Sequence, residues 1–315
     1  MSEALAVAED VVERSRAVLK MNARSFRFAG FFLSTQALND AAVVYAFCRL
    51  VDDAIDEAPD LASARAAATA LAAELRSERR ARSEVQAFIV VAQRIGLDLR
   101  FAEQLVMGVD EDAVGHVRLA DDDAIVRYGY LVAGTVGGMM CAVIGVKDEK
   151  ALPFAVDLGI GMQITNICRD VLEDARKDRV YVPLTRLQAV GIDVSNFVDD
   201  VVGGRVDRAR AASVVRDLLA VAERYYASGD AGLRYIPWRQ RLAILIAGRV
   251  YRAIGRKLLR RNGDALAGRV STSTAHKVVL AVVALVEFVG VSLRRPTAHD
   301  SSLHTALKGL VGSDA

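Results

Sequence analysis

The sequence predicts an all-α fold, and three features point that way. Its five prolines (Pro59, Pro153, Pro183, Pro237 and Pro296) fall between long segments, where helices start or stop. The stretch from Leu61 to Leu152 has no proline and is rich in Ala, Leu, Arg and Glu, all good helix formers. No two alternating runs are joined by Asn-Gly or Asp-Gly, so strand signals are poor.

In chain order, helices are expected over 3–20 and 36–57, the second closing just before Pro59. The proline-free stretch divides into 61–93, 99–108 and 121–145, with the acidic patch Asp121, Asp122 and Asp123 at the start of the last. Pro153 stands in the first turn of 150–175, a position that needs no backbone donor. Residues 175–196, which include Pro183, are expected as a loop. Gly203-Gly204 makes a turn before 207–229. Pro237 precedes 238–262, and Pro296 separates 274–293 from 300–310. No repeat or low-complexity linker divides the chain, which reads as a single helical domain over 1–315.

Composition narrows the function. Hydrophobic residues are 53% and charged residues 25%, enough to bury a sizeable core. Lys+Arg 41 against Asp+Glu 39 is too balanced for a nucleic-acid binder that works by bulk charge. Cys48, Cys141 and Cys168 share no metal-ligand spacing and cannot all pair, so a reducing, cytoplasmic setting is expected. The four histidines (His116, His276, His299 and His304) form no H-E-x-x-H and no tight cluster, which argues against a zinc hydrolase. The acidic N-terminus lacks the apolar core of an export signal. Residues 278–293 are apolar but include Glu287, and their 16 residues fall short of the ~20 that cross a bilayer. They read as a buried helix walling a chamber. Alternatively they lie on a membrane surface, with Lys277, Arg294 and Arg295 toward anionic headgroups. Oligomeric state leaves no mark in the sequence.

Two acidic clusters carry the chemistry. In YAFCRLVDDAID (45–56), Tyr45, Arg49, Asp52 and Asp56 share one helix face, with Asp53 beside it. The other faces are apolar, so this polar stripe needs a partner. In GMQITNICRDVLED (161–174), Gln163, Asn166, Asp170 and Asp174 step by three, four and four along a second stripe. Asp170 and Asp174 are a like-charge pair that repels even when exposed. Two such stripes imply a shared counter-charge. An oxygen-only donor set suits Mg²⁺, with Mn²⁺ as the alternative, and Mg²⁺ commonly bridges to phosphate.

These motifs resemble the squalene/phytoene synthase family. The likeness rests on YAFCRLVDDAID, on Tyr128 followed by the A-G-T-V-G run ending at Gly137, and on QITNICRDVLED followed by RVYVP. Ala23-Arg24-Ser25-Phe26, Tyr251 and Arg269 are shorter echoes, and together the matches cover about residues 10 to 280. The resemblance implies an all-α isoprenoid-synthase fold with a central cavity. It also implies head-to-head condensation of two allylic prenyl diphosphates through a cyclopropyl diphosphate. By matching position it gives metal duty to Asp52, Asp53, Asp56, Asn166, Asp170 and Asp174, with Gln163 close by.

That chemistry needs cations around a leaving diphosphate and a dry chamber for the carbocation. Arg24, Arg49, Arg169, Arg179 and Arg269 are the candidate cations. Arg49 and Arg179 flank the acidic boxes, whereas Arg169 could instead pair with Glu173 at i+4. Ser25 matches a position near the diphosphate or caps a helix. The glycines of 133–138 serve either close helix packing or room for a long chain. Phe26, Phe28, Phe31, Phe32, Phe47 and Tyr130 read as core or cavity lining. Tyr45 and Tyr128 carry hydroxyls that want polar partners. Tyr45, Arg49, Tyr128 and Arg179 are therefore the expected catalytic groups. Arg24, Ser25, Arg49, Gln163, Arg169 and Arg269 are the expected substrate-binding groups. The favoured product is phytoene from two geranylgeranyl diphosphates. Squalene or dehydrosqualene from farnesyl diphosphate is the alternative, with NADPH needed only for squalene. A noncatalytic scaffold would have lost carboxylates from the boxes, and both boxes are intact.

Overall fold

The structure is a computed structural model that describes residues 2–22, 33–112, 116–293 and 297–313. Side chains are described throughout these except at 2–8, 21–22, 55–56 and 110–112. Its elements are helices, with one isolated bridge between Arg118 and Val180. We number the helices α1 (Ser2–Asn22), α2 (Thr35–Asp56), α3 (Leu61–Leu75), α4 (Ser83–Ile95), α5 (Arg100–Asp112), α6 (Asp122–Gly129) and α7 (Thr135–Val143). Then come α8 (Leu152–Arg176), α9 (Leu184–Ala189), α10 (Phe197–Val202), α11 (Arg208–Gly232), α12 (Trp238–Arg260) and α13 (Thr274–Leu293).

The hub is α8. It packs on α11, α7 and α12, and Leu303 and Leu307 of the C-terminal residues join its core. A core around α8 and α11 contains Ile160, Ile164, Leu218 and Leu219. A second core joins α2 to α3, α4, α5 and α7 through Phe47, Phe88, Leu71 and Leu105. Phe47 and Phe88 stack there with centroids 4.1 Å apart, so Phe47 is core rather than lining.

Four expectations are corrected. The helix expected over 61–93 breaks into α3 and α4. Buried Glu74 draws in Arg82, accepting from its backbone N–H at 3.0 Å and its guanidinium at 2.8 Å, and Ser77 turns the chain at φ 60°. Local helix preference loses to satisfying a buried carboxylate. The helix over 121–145 holds a π-helical turn, Tyr130–Gly134, between α6 and α7. The acidic patch ahead of it is structural: Asp121 caps α6 by accepting from Ala124 N–H at 2.9 Å, and Asp122 pairs with Arg186 at 2.6 Å. The loop over 175–196 contains α9, and α10 follows it before the Gly203-Gly204 turn. Residues 300–310 form a 3₁₀ turn, Ser301–Leu307, capped by Asp300, in place of an α-helix.

The segment 278–293 also differs from the buried wall expected of it. α13 buries Ala281, Ala284 and Val291 in a small core with α12, with Leu280 and Phe288 packed partly against it. Val279, Val282, Val286, Val289 and Leu293 face outward, Val286 at 74% exposure. None of its residues lines the cavity described next. Its 20 residues reach the length and apolarity of a membrane span, more than the 16 counted from sequence.

Candidate active site

α2 and α8 bring their polar stripes to one vestibule of about 290 Å³. α2 supplies Arg49 and Asp52, and α8 supplies Gln163, Asn166, Asp170 and Asp174. Each stripe repeats at three or four residues, so one face of each helix carries it. Tyr128 from α6 and Lys177, Arg179 and Tyr181 from the segment after α8 complete the wall. That segment is fixed by backbone pairing: Val180 N–H donates to Val117 C=O at 2.8 Å, and Leu119 N–H donates to Val180 C=O at 3.1 Å. Tyr181 then stacks on Tyr128 with centroids 4.7 Å apart.

The vestibule opens into an apolar cavity of about 360 Å³, the two sharing Asp52, Val132, Gln163 and Asn166. Along α8 the cavity follows Asn166, Met162, Leu158 and Phe154 to Ala151 at the helix start. Fifteen residues at 1.5 Å each make this wall about 22 Å long. Tyr45 and Tyr251 stand near its mouth. Val132 and Ala133, on the π-helical turn packed against α8, form the adjoining wall.

The carboxylates are crowded. Burial pushes the Asp174 carboxyl up to about 7, with Asp170 adding to the rise and Arg179 and Lys177 opposing it. Asp170 binds Arg169, whose Nε donates to Oδ1 at 2.8 Å, and pairs with Arg269 at 3.2 Å. Asn166 donates to Gln163 Oε1 at 3.3 Å, while its own Oδ1 is buried with no hydrogen-bond partner. An orphaned buried carbonyl oxygen among carboxylates fits a hard cation. The donor set is all oxygen, because burial raises the Cys48 thiol far above its usual range. Burial likewise raises the Tyr45 phenol, which stays a hydrogen-bond donor.

Several expected site residues stand elsewhere. Asp53 is off the vestibule wall and forms an ion pair with Arg49 one turn back. Arg169 takes Asp170 as its hydrogen-bond partner, and Glu173 pairs instead with Arg269 at 3.2 Å. Tyr45 lines the apolar cavity rather than the vestibule. Arg24, Ser25, Phe26, Phe28, Phe31 and Phe32 lie outside the described residues, as does the side chain of Asp56. The glycine run serves packing and also lines the cavity: a Cβ on Gly137 would stand 2.2 Å from Ala155 O and one on Gly138 would stand 2.4 Å from the Phe101 ring, while Ala133 and Gly137 line the cavity. Lys177, Tyr181 and Tyr251 join the site without having been singled out for it. The motif strings contained both tyrosines, but nothing in the sequence marked Lys177. The histidines do cluster, contrary to expectation: Asp157 holds both His299 and His304, away from the vestibule.

A family model described as squalene/phytoene synthase matches residues 19–276. The phytoene synthase of Pseudescherichia vulneris is 38% identical over 217 residues, covering 69% of this chain and 68% of that one. The 15-cis-phytoene synthase of Enterobacter agglomerans is 33% identical over 277 residues, covering 84% and 92%. Among solved structures, a dehydrosqualene synthase in complex with a ligand shares the fold, with a TM-score of 0.79 at 22% identity over 90% of this chain and 98% of that one.

Proposed function

The chain belongs to the squalene/phytoene synthase family, and we propose that it condenses two geranylgeranyl diphosphates head to head into phytoene. The observation that carries this reading is the acid-lined vestibule opening into an apolar cavity about 22 Å long on its α8 wall. With carbon–carbon bonds of about 1.5 Å, an extended chain of four isoprene units reaches roughly 20 Å and one of three about 15 Å. The longer substrate fills this length.

Asp52, Asn166, Asp170 and Asp174 would hold Mg²⁺, which, when bound, stabilises the charge on a departing diphosphate. Arg49, Lys177 and Arg179 line the same vestibule and bind phosphate oxygens. Asp53 aims Arg49 from behind. The first substrate loses diphosphate as its allylic C–O bond breaks. The double bond of the second attacks the cation, and loss of a proton closes the cyclopropyl diphosphate. Departure of the second diphosphate, rearrangement and loss of another proton give the hydrocarbon. No hydride enters, so NADPH is not consumed. Tyr45 and Tyr251 at the cavity mouth offer ring faces to the cation, and the apolar walls exclude water that would trap it.

The test is incubation with Mg²⁺ and either farnesyl or geranylgeranyl diphosphate, with and without NADPH, followed by identification of the hydrocarbon. Phytoene made without NADPH is expected. Squalene or dehydrosqualene from farnesyl diphosphate alone would overturn the assignment.

The product carries no charge and must reach a lipid phase. α13 offers a lipid surface a row of exposed Val and Leu, and Trp238 is 63% exposed at the start of the helix that α13 packs on. Glu287 is tied to Arg249 at 2.5 Å, which keeps α13 lying along the protein. Peripheral membrane contact from the cytoplasmic side is therefore part of the proposal. Flotation with vesicles of anionic lipid at low salt is expected, and its absence would remove this contact.

A further inference from the structure

Near the remote end of the apolar cavity one aromatic ring, Phe154, stands in the wall beside Ala151 and Gly232. Phe154 lies sixteen residues before Asp170 on α8, about 24 Å along the helix. Its ring lines the cavity and is otherwise buried. Three neighbours box it in. Gly232 ends α11 so close that a Cβ there would stand 2.2 Å from Phe154 Cβ. Tyr235 stacks on the ring with centroids 5.8 Å apart. His299 meets it edge-on at 5.1 Å.

His299 belongs to the C-terminal strap, residues 297–313, which crosses behind α8. Asp157, one turn beyond Phe154 and wholly buried, clamps this strap. His299 Nε2 lies 2.7 Å from one carboxylate oxygen and His304 Nε2 lies 2.9 Å from the other. Two imidazoles each donating Nε2–H satisfy both oxygens. The donor set would also suit a transition metal. These separations are hydrogen-bond lengths, so the imidazoles meet the carboxylate directly. Tyr225 Oη donates to Leu303 C=O at 2.9 Å and Tyr130 Oη donates to Val311 C=O at 2.7 Å, anchoring the rest of the strap.

We propose that Asp157, His299 and His304 are positioning residues that set the chain-length limit of the cavity. They hold the His299 ring behind Phe154, so that a longer prenyl chain cannot push the end wall outward. The proposal rests on the geranylgeranyl reading above. None of the three residues lines the vestibule, so their effect is on which chain fits and not on ionisation.

The test compares fifteen-, twenty- and twenty-five-carbon all-trans allylic diphosphates on the full chain, with thermal melting beside each assay. Phe154→Ala and His304→Ala should each raise kcat/KM for the twenty-five-carbon substrate, relative to the twenty-carbon one, by about fivefold or more. Two volume-filling variants separate ring from hydrogen bond. His299→Gln keeps a donor for Asp157 but loses the ring, and should shift the ratio. His299→Phe keeps a ring but loses the bond to Asp157, and should shift the ratio by less than His299→Gln does. A merely stabilising strap would move melting in all the variants and the ratio in none. Unchanged ratios in His299→Gln and His304→Ala, with Phe154→Ala shifted, would overturn the proposal; so would an unchanged ratio in Phe154→Ala. A wild type that uses only the fifteen-carbon substrate would overturn the geranylgeranyl reading instead. The positioning claim is then decided by the twenty-to-fifteen-carbon ratio in the same variants.

Discussion

Asp170 is held by two guanidiniums, Arg169 and Arg269, while Asp174 one turn on is half-buried beside it. A carboxylate so placed is poised for a cation and poorly used without one. Asp170→Asn and Asp52→Asn should each cut product formation by about 100-fold or more, the scale of losing one preorganised electrostatic group. Melting of Asp52→Asn should hold, whereas Asp170→Asn should melt lower, because Arg169 and Arg269 lose their shared carboxylate partner. Near-normal turnover in either variant at limiting Mg²⁺ would contradict the metal assignment. Asp174 gives a pH signature. Its folded value near 7 lies above the ordinary aspartate value of 3.8, so the fold favours the protonated form. The metal-free protein should lose stability as pH rises from about 4 to about 7, the window between those values. Stabilisation by Mg²⁺ should then be larger at pH 8 than at pH 6, measured by melting with Mg²⁺ or chelator, and Asp174→Asn should flatten the difference. The stripes around these residues were legible in the sequence because helical periodicity alone decides which positions share a face. Lys177 was not, since it lies just past the end of α8, where that period carries no information. Arg179 and Tyr181 are placed by pairing with residues 117–119, some sixty positions away.

Among the helices, the contact between the π-helical turn and α8 tightly constrains the cavity. A Cβ on Gly159 would sit 2.3 Å from Ala133 O, a backbone atom that cannot swing aside. Gly159→Ala gains helix preference of about 1 kcal/mol yet should lose stability overall by up to about 2 kcal/mol, because overpacking against a backbone atom costs about 1–3 kcal/mol and forces the helices apart. Chemical denaturation checks the sign. α13 makes the opposite case. Val286→Asp with Val289→Asp should change stability by less than about 0.5 kcal/mol, since both side chains are mostly exposed. The pair should still abolish vesicle flotation, and retained flotation would place the contact elsewhere. Helix existence was legible nearly throughout, because long runs of helix formers between prolines leave few alternatives. The break at 76–82 was not, because it depends on a buried Glu74 meeting Arg82. Nor was the exposure of α13, whose composition is equally that of a core helix.

At the scale of the molecule, the central cavity and its polar mouth follow from two acid-bearing helices meeting, and the sequence motifs indicated that meeting through family resemblance. The depth of the cavity did not follow from them, because Phe154, Gly232 and His299 are brought together only by the fold. The strap has a further consequence, for how the chain folds. It joins Tyr130 to Val311 across 181 positions and Asp157 to His304 across 147. Contacts that remote require large loops to close before they reward the chain, and they slow folding. Leu303 and Leu307 belong to the same core as Ile160 and Ile164, so that core stays open until the strap arrives. On dilution from denaturant, the far-UV helical signal should return before the near-UV tyrosine signal of the strap contacts, exposing a helical intermediate with an unsealed back. Coincident recovery would show that the strap docks in step with the bundle. Until docking is complete, the apolar surface behind α8 is the part of the chain most open to self-association, and yield on refolding should fall as protein concentration rises.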